Sequence, residues 1–131
     1  MSDHLRAPAA GDTPVPGTAE VRHHAPGFAV VSMRGEHDLS TSPELRRALE
    51  QAAAHSTVLV DLCECSFIDS SVIQALVRTA RALHAGGEQL VLVIPPEQKQ
   101  VARVAQMTQL AEIFPIHTSR HAALVSIQGE E

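Results

Sequence analysis

Ser66-Phe67-Ile68-Asp69-Ser70-Ser71-Val72-Ile73-Gln74-Ala75 is the stretch from which the rest of the chain can be read. An apolar run, Thr57-Val58-Leu59-Val60-Asp61-Leu62, leads into it. Ile73, Leu76, Val77, Ala80 and Leu83 leave it at the spacing of one helix face. Asp69, Ser70 and Ser71 therefore stand where a strand turns into a helix, with two hydroxyls on the helix's first turn. Unsatisfied backbone N–H groups and the positive end of the macrodipole favour an anion there. A serine at that place is suited to carry, or to bind, a phosphate.

On the C-terminal side, Gly86-Gly87 stops this helix after Ala85, and Gln89–Ile94 is nearly pure apolar sequence, as in a strand covered on both faces. Upstream, Phe28–Met33 reads as a strand closed by Gly35, and Val21–His23 as a short edge strand followed by a turn at Gly27. Between Gly35 and Thr57 a helix is signalled by Thr41 or Ser42 as cap, Pro43 in the opening turn and Glu44 completing a capping box with Thr41. Leu45, Ala48, Leu49 and Ala52 form its buried stripe. Downstream, Pro95-Pro96 opens a helix with the stripe Val101, Val104, Ala105 and Thr108, Ile113–His117 reads as a last strand, and Ser119 caps a final helix containing Ala122, Ala123 and Leu124. The order β-β-α-β-α-β-α-β-α implies an α/β fold: a mostly parallel sheet of four to five strands, about four helices, right-handed crossovers, and only the first strand pair antiparallel. Residues 1–19, rich in Ala, Pro and Gly, read as a disordered leader, and residues 129–131 as a short acidic tail. No internal repeat is present.

Composition narrows the function classes. The chain has 131 residues, enough for one domain with a real core. Hydrophobic residues make up 44% and aromatic residues only 2%, so the core is aliphatic and there is little with which to stack nucleobases. A net charge of −5, with only 10 scattered Lys+Arg, argues against a nucleic-acid footprint. No apolar run approaches the roughly 18 residues that a membrane span needs, and the N-terminus lacks the apolar segment of a secretory signal. A cytoplasmic protein is expected. Cys63 and Cys65 lie two apart in one extended segment, so their side chains are expected on the same face about 6–7 Å apart, a geometry that would strain a disulfide. They read as reduced thiols, while a redox switch or a shared metal would require further Cys or His partners.

Several motifs resemble those of a known family. Gly35-Glu36-His37-Asp38-Leu39-Ser40-Thr41-Ser42-Pro43, Val60-Asp61-Leu62 and Phe67-Ile68-Asp69-Ser70-Ser71, taken in this order, are similar to the anti-sigma factor antagonists, the stand-alone members of the STAS domain family. The similarity continues through Gly86-Gly87, Leu90–Ile94 and Val101-Ala102-Arg103-Val104 to Phe114-Pro115-Ile116, and spans about residues 20–128. The resemblance implies a STAS-like fold and a non-enzymatic protein without cofactor. Its implied partner is an anti-sigma factor that is also a serine kinase, and binding it frees a sigma factor. It further implies that the kinase switches the antagonist off by phosphorylating Ser70, and that a phosphatase reverses this. The implied partner-binding set is Asp38, Thr41, Asp69, Ser71, Val72, Gln74 and Arg78, on a monomer or weak homodimer. Two positions depart from the family pattern. Val72 stands where Gly is usual and is expected to crowd an approaching kinase. Gln109, in Thr108-Gln109-Leu110, also replaces a Gly; if the backbone there is left-handed, the exchange costs roughly 1–2 kcal/mol.

Blander readings compete with these. Asp69-Ser70-Ser71 is sufficient as a helix cap alone. Asp38 is a common turn residue, and Arg78 with Arg81 can be a solvated helix face. The eight histidines offer no third metal ligand at usable spacing. There is no Gly-x-Ser-x-Gly elbow to make Ser70 a nucleophile, and no Gly-rich phosphate loop. From a different class, the alternative function is a phosphorylation-independent STAS scaffold module in a stress-signalling complex, which Val72 would favour.

Overall fold

A computed structural model describes residues 15–24, 27–54 and 57–129. Five strands form one sheet in sequential order: β1 (Thr18–His24), β2 (Phe28–Glu36), β3 (Thr57–Phe67), β4 (Leu90–Val93) and β5 (Ile116–His117). β1 and β2 are antiparallel, and every later pair is parallel. The crossovers are α1 (Ser42–Ala53), α2 (Ser70–Ala85) and α3 (Lys99–Met107), and α4 (Arg120–Gln128) follows β5. This is the expected α/β order.

Sequential strand order decides where the helices go. Right-handed crossovers that all step in one direction must put every crossing helix on the same face. Leu45, Ala48, Leu49 and Ala52 of α1, Val72, Ala75, Leu76 and Leu83 of α2, and Val101 and Ala105 of α3 accordingly pack with Val31, Met33, Val58, Val60, Leu62, Leu90 and Leu92 in the main core. α4 crosses nothing, and it covers the opposite face. There Leu59, Val91 and Val93 meet Ala123, with Cys63, Leu124 and Ile127 at the margin.

Several expected boundaries move. β1 begins at Thr18 rather than Val21, inside the segment read as a leader. Ahead of it, the Val15 carbonyl accepts from the Glu36 N–H at 2.8 Å and Pro16 bridges Glu36. The remainder of the expected leader, residues 1–14, and residues 130–131 of the tail lie outside the described residues. β3 runs five residues beyond Leu62, because β2 continues three residues past Met33 and two bulges each add one residue to β3: Ser32 pairs Asp61 and Arg34 pairs Glu64, then Gly35 pairs Cys65 and Glu36 pairs Phe67. The first bulge overturns the expectation that Cys63 and Cys65 share a face. Cys63 sits beside the α4 cluster and Cys65 in the main core. Burial pushes both thiols up to about 11, helped at Cys63 by the Asp61 carboxylate, so both are protonated near neutrality. α3 starts at Lys99, after a turn that begins at Pro95, and β5 keeps only Ile116 and His117 of its expected five residues.

Candidate functional site

Two loops leave the C-terminal ends of the neighbouring parallel strands β2 and β3, and both turn by the same device. After β2, Asp38 adopts extended backbone, and its Oδ1 accepts from the Ser40 N–H at 2.9 Å and the Ser40 hydroxyl at 2.6 Å. After β3, Asp69 is also extended, and its Oδ1 accepts from the Ser71 N–H at 2.9 Å and the Ser71 hydroxyl at 2.5 Å. Each aspartate thus caps the element after it: a single 3-10 turn, Leu39–Thr41, in the first case and α2 in the second. The middle residue of each Asp-x-Ser is thrust outward, so Leu39 is 73% exposed and Ser70 is exposed. The His37 N–H donates to the Phe67 carbonyl at 2.9 Å, which ties the two loops side by side.

The caps differ from those expected. The capping box joins Asp38 to Thr41, whose hydroxyl accepts from the Asp38 N–H at 3.2 Å. Thr41 makes no side-chain cap for α1, and Glu44 instead accepts from the Ala19 N–H of β1. An aspartate, in extended backbone and with an oxygen to offer two donors, serves as the better cap here. At α2 the cap is likewise Asp69, so neither Ser70 nor Ser71 has that task. The Ser70 hydroxyl makes no hydrogen bond among the described residues. Hydrogen bonds from the Ser40 hydroxyl and backbone hold the Asp38 carboxyl below its ordinary value, so it is ionised throughout the neutral range.

Asp38, Thr41, Asp69, Ser70 and Ser71 are therefore gathered at one end of the sheet. Gln74 and Arg78 follow Ser70 at one and two turns along the same side of α2, and both are exposed, lining a shallow groove with Ile73 and Val77. Val72 does not belong to this surface. Its side chain is 1% exposed and packs in the main core, because position three of the helix turns back under the sheet. It cannot crowd a partner that approaches Ser70 from outside.

Four contributors are not singled out by the sequence. Gln100 of α3 accepts from the Ile68 N–H and donates to the Ile68 carbonyl, each at 3.0 Å, and so holds the residue just before Asp69. Gln98 donates to the Cys63 carbonyl at 2.7 Å. Leu39 and the 37% exposed Phe67 put apolar surface beside the two aspartates. Leu39 lies within the Gly35–Pro43 motif, but nothing in the sequence predicts its exposure. Among the described residues no group of three His, Cys, Asp or Glu could hold a metal, and no helix is long and apolar enough to cross a membrane. An open groove of about 550 Å³ at the far end of α2, lined by residues such as Val77, Ala80, Ile113 and Phe114, is remote from Ser70. The Ser70 end of the sheet exposes two Asp-capped turns and an unengaged hydroxyl.

The model of the STAS domain matches residues 19–123. The chain belongs to the STAS domain family. No curated protein matches it. Among solved structures it is similar to an anti-sigma factor antagonist from Mycobacterium paratuberculosis, at 28% identity and a TM-score of 0.73, covering 86% of this chain and 95% of that one. Unphosphorylated SpoIIAA, an anti-sigma factor antagonist, matches at 20% identity and a TM-score of 0.73 over 87% of this chain and 99% of its own. A STAS domain protein from Planctomyces limnophilus matches at 22% identity and 0.71, over 85% and 98%. At these last two identities the likeness is one of STAS fold.

Proposed function

We propose that this STAS protein is an anti-sigma factor antagonist. It binds an anti-sigma factor of the serine-kinase type, releases a sigma factor, and is switched off by phosphorylation of Ser70. The observation that carries the reading is the Ser70 hydroxyl, exposed on the first turn of α2 and unbonded because Asp69 caps the helix through Ser71. Such a hydroxyl can be modified without dismantling the fold. Phosphoserine brings about −1.5 to −2 charges at pH 7. The helix N-terminus favours that charge by roughly 0.3–1 kcal/mol and the adjacent Asp69 opposes it, so stability changes little. The effect falls on the partner surface instead, where a thousandfold loss of affinity needs only about 4 kcal/mol. Asp38 and Thr41 supply the neighbouring contacts. The scaffold alternative draws its support from Val72, and that side chain lies in the core.

The test uses the anti-sigma factor kinases of the source genome with ATP. One of them should add a single phosphate to Ser70 and then dissociate. Ser70→Asp should lose binding and Ser70→Ala should bind constitutively, both with near-wild-type melting temperatures. Asp38→Ala should weaken binding by about 1–3 kcal/mol in titration calorimetry. If Ser70→Asp binds as well as wild type does, Ser70 is only the residue after a cap.

A further inference from the structure

The side chain of His37 is fully buried, yet it stands next to the exposed turn at Asp38, Leu39 and Ser40. Its Nε2 lies 3.0 Å from the Thr18 carbonyl, an acceptor only, so Nε2 carries the hydrogen. In the neutral ring Nδ1 is then the acceptor, and the Thr41 hydroxyl is 3.1 Å away. That hydroxyl is the centre of the Asp38 turn, since it receives the Asp38 N–H at 3.2 Å and lies 3.1 Å from the Asp38 carbonyl. The ring itself is gripped from the other side. A Cβ on Gly17 would come within 2.9 Å of two of its carbons, and one on Gly35 would come within 2.6 Å of the Val15 and Pro16 carbonyls. Gly35 is also held at φ +78, which favours glycine on its own account. The two glycines let residues 15–18 close over the end of β2, with the imidazole wedged between that segment and the turn.

From this geometry we infer that His37 is a positioning residue of the partner-binding edge. It locks the Asp38–Thr41 turn, and with it the outward set of Asp38 and Leu39, to the segment that enters β1. Within the Gly35-Glu36-His37-Asp38 motif, the residue between the two acids is thus a polar bridge across 19 residues of sequence rather than one more core side chain. A rigid turn meets a partner without first being ordered, which favours affinity. The inference rests on the proposed binding role of this edge only for its affinity consequence.

The two bonds can be removed one at a time. An Asn amide reaches the position of Nδ1, and a Gln amide that of Nε2. His37→Asn keeps an acceptor for Thr41 and frees Thr18, whereas His37→Gln keeps a donor for Thr18 and frees Thr41. Amide exchange by NMR on the full chain reads the turn directly. In His37→Gln the Asp38 and Ser40 N–H groups should exchange about tenfold faster, while in His37→Asn they should stay near wild type and the Thr18–Glu20 amides should loosen instead. A purely structural role would loosen both regions alike in both variants. Affinity for the anti-sigma factor should track the turn, falling about tenfold in His37→Gln and little in His37→Asn. Equal Asp38 and Ser40 exchange in the two variants overturns the inference, whether or not any partner binds. If exchange separates the variants but the wild-type protein binds no anti-sigma factor, the positioning role stands and the proposed function fails.

Discussion

Gln100 does for Ile68 what a neighbouring strand would do. At Phe67 the β2–β3 pairing ends, and Asp69 already begins a helix, so Ile68 has neither a ladder nor a helical partner. The primary amide of Gln100 supplies one acceptor and one donor, a peptide group in miniature. Gln100→Leu keeps much of the volume and orphans both groups of a buried residue, so it should cost about 2 kcal/mol. Chemical denaturation measures that cost. Hydrogen exchange should show the Ile68 amide released while the Val60 amide in the middle of β3 stays protected. Among single residues the candidate site is partly legible in the sequence. Asp69 and Ser71 are two residues apart, so their hydrogen bonds arise from local sequence. Gln100 and His37 reach their partners across 32 and 19 residues, and no local pattern encodes a bond whose length depends on how the sheet folds.

Elements are legible where chemistry marks both of their ends. The bounds of α2 coincide with expectation because an aspartate caps one end and paired glycines stand after the other. α3 has no such cap, and the sequence places its start too early, at the prolines that make the preceding turn. The readable part of β3 stops at Leu62 because bulges break the alternation by which a strand is recognised. The two family departures separate on the same ground. Gln109 does take the left-handed conformation (φ 57, ψ 43), so it bears the strain that glycine would avoid. Val72 belongs to the packing of α2 on the sheet, and its replacement is a stability mutation. Val72→Gly should cost about 3 kcal/mol, from a lost core side chain and roughly 1 kcal/mol of helix propensity. Phosphorylation of Ser70 should proceed at the wild-type rate when assayed well below the variant's melting temperature. A faster rate would return Val72 to the surface that the kinase meets.

For the molecule as a whole, the two faces of the sheet are unequally secured. Three helices cover one, while α4 holds the other through a small cluster and an ion pair, Arg120 Nε to Asp61 Oδ2 at 2.6 Å. Asp61 is only 4% exposed. Burial by itself would raise its carboxyl, but hydrogen bonds from Cys63 and Arg120, with the charge of Arg120, outweigh burial and hold it below the ordinary 3.8. A carboxyl lowered by folding contributes stability that is complete above its unfolded value and disappears as pH falls through its folded value. Asp61→Asn should therefore cost about 1–3 kcal/mol at pH 7, less than a fully buried pair because Arg120 is half exposed. Below about pH 3.8 the melting curves of the variant and wild type should converge. Curves separated equally at every pH would show that the pair is not what Asp61 contributes. The back face also has a consequence in time. A helix held by so small a cluster is the cooperative unit expected to open first, well before the sheet loses its protection. Each opening bares Leu59, Val91 and Val93, a sticky apolar strip on two central strands, to any other molecule of the same kind. Acidification should thus lead to self-association before global unfolding, with light scattering rising in the interval where α4 amides already exchange and β3 amides do not.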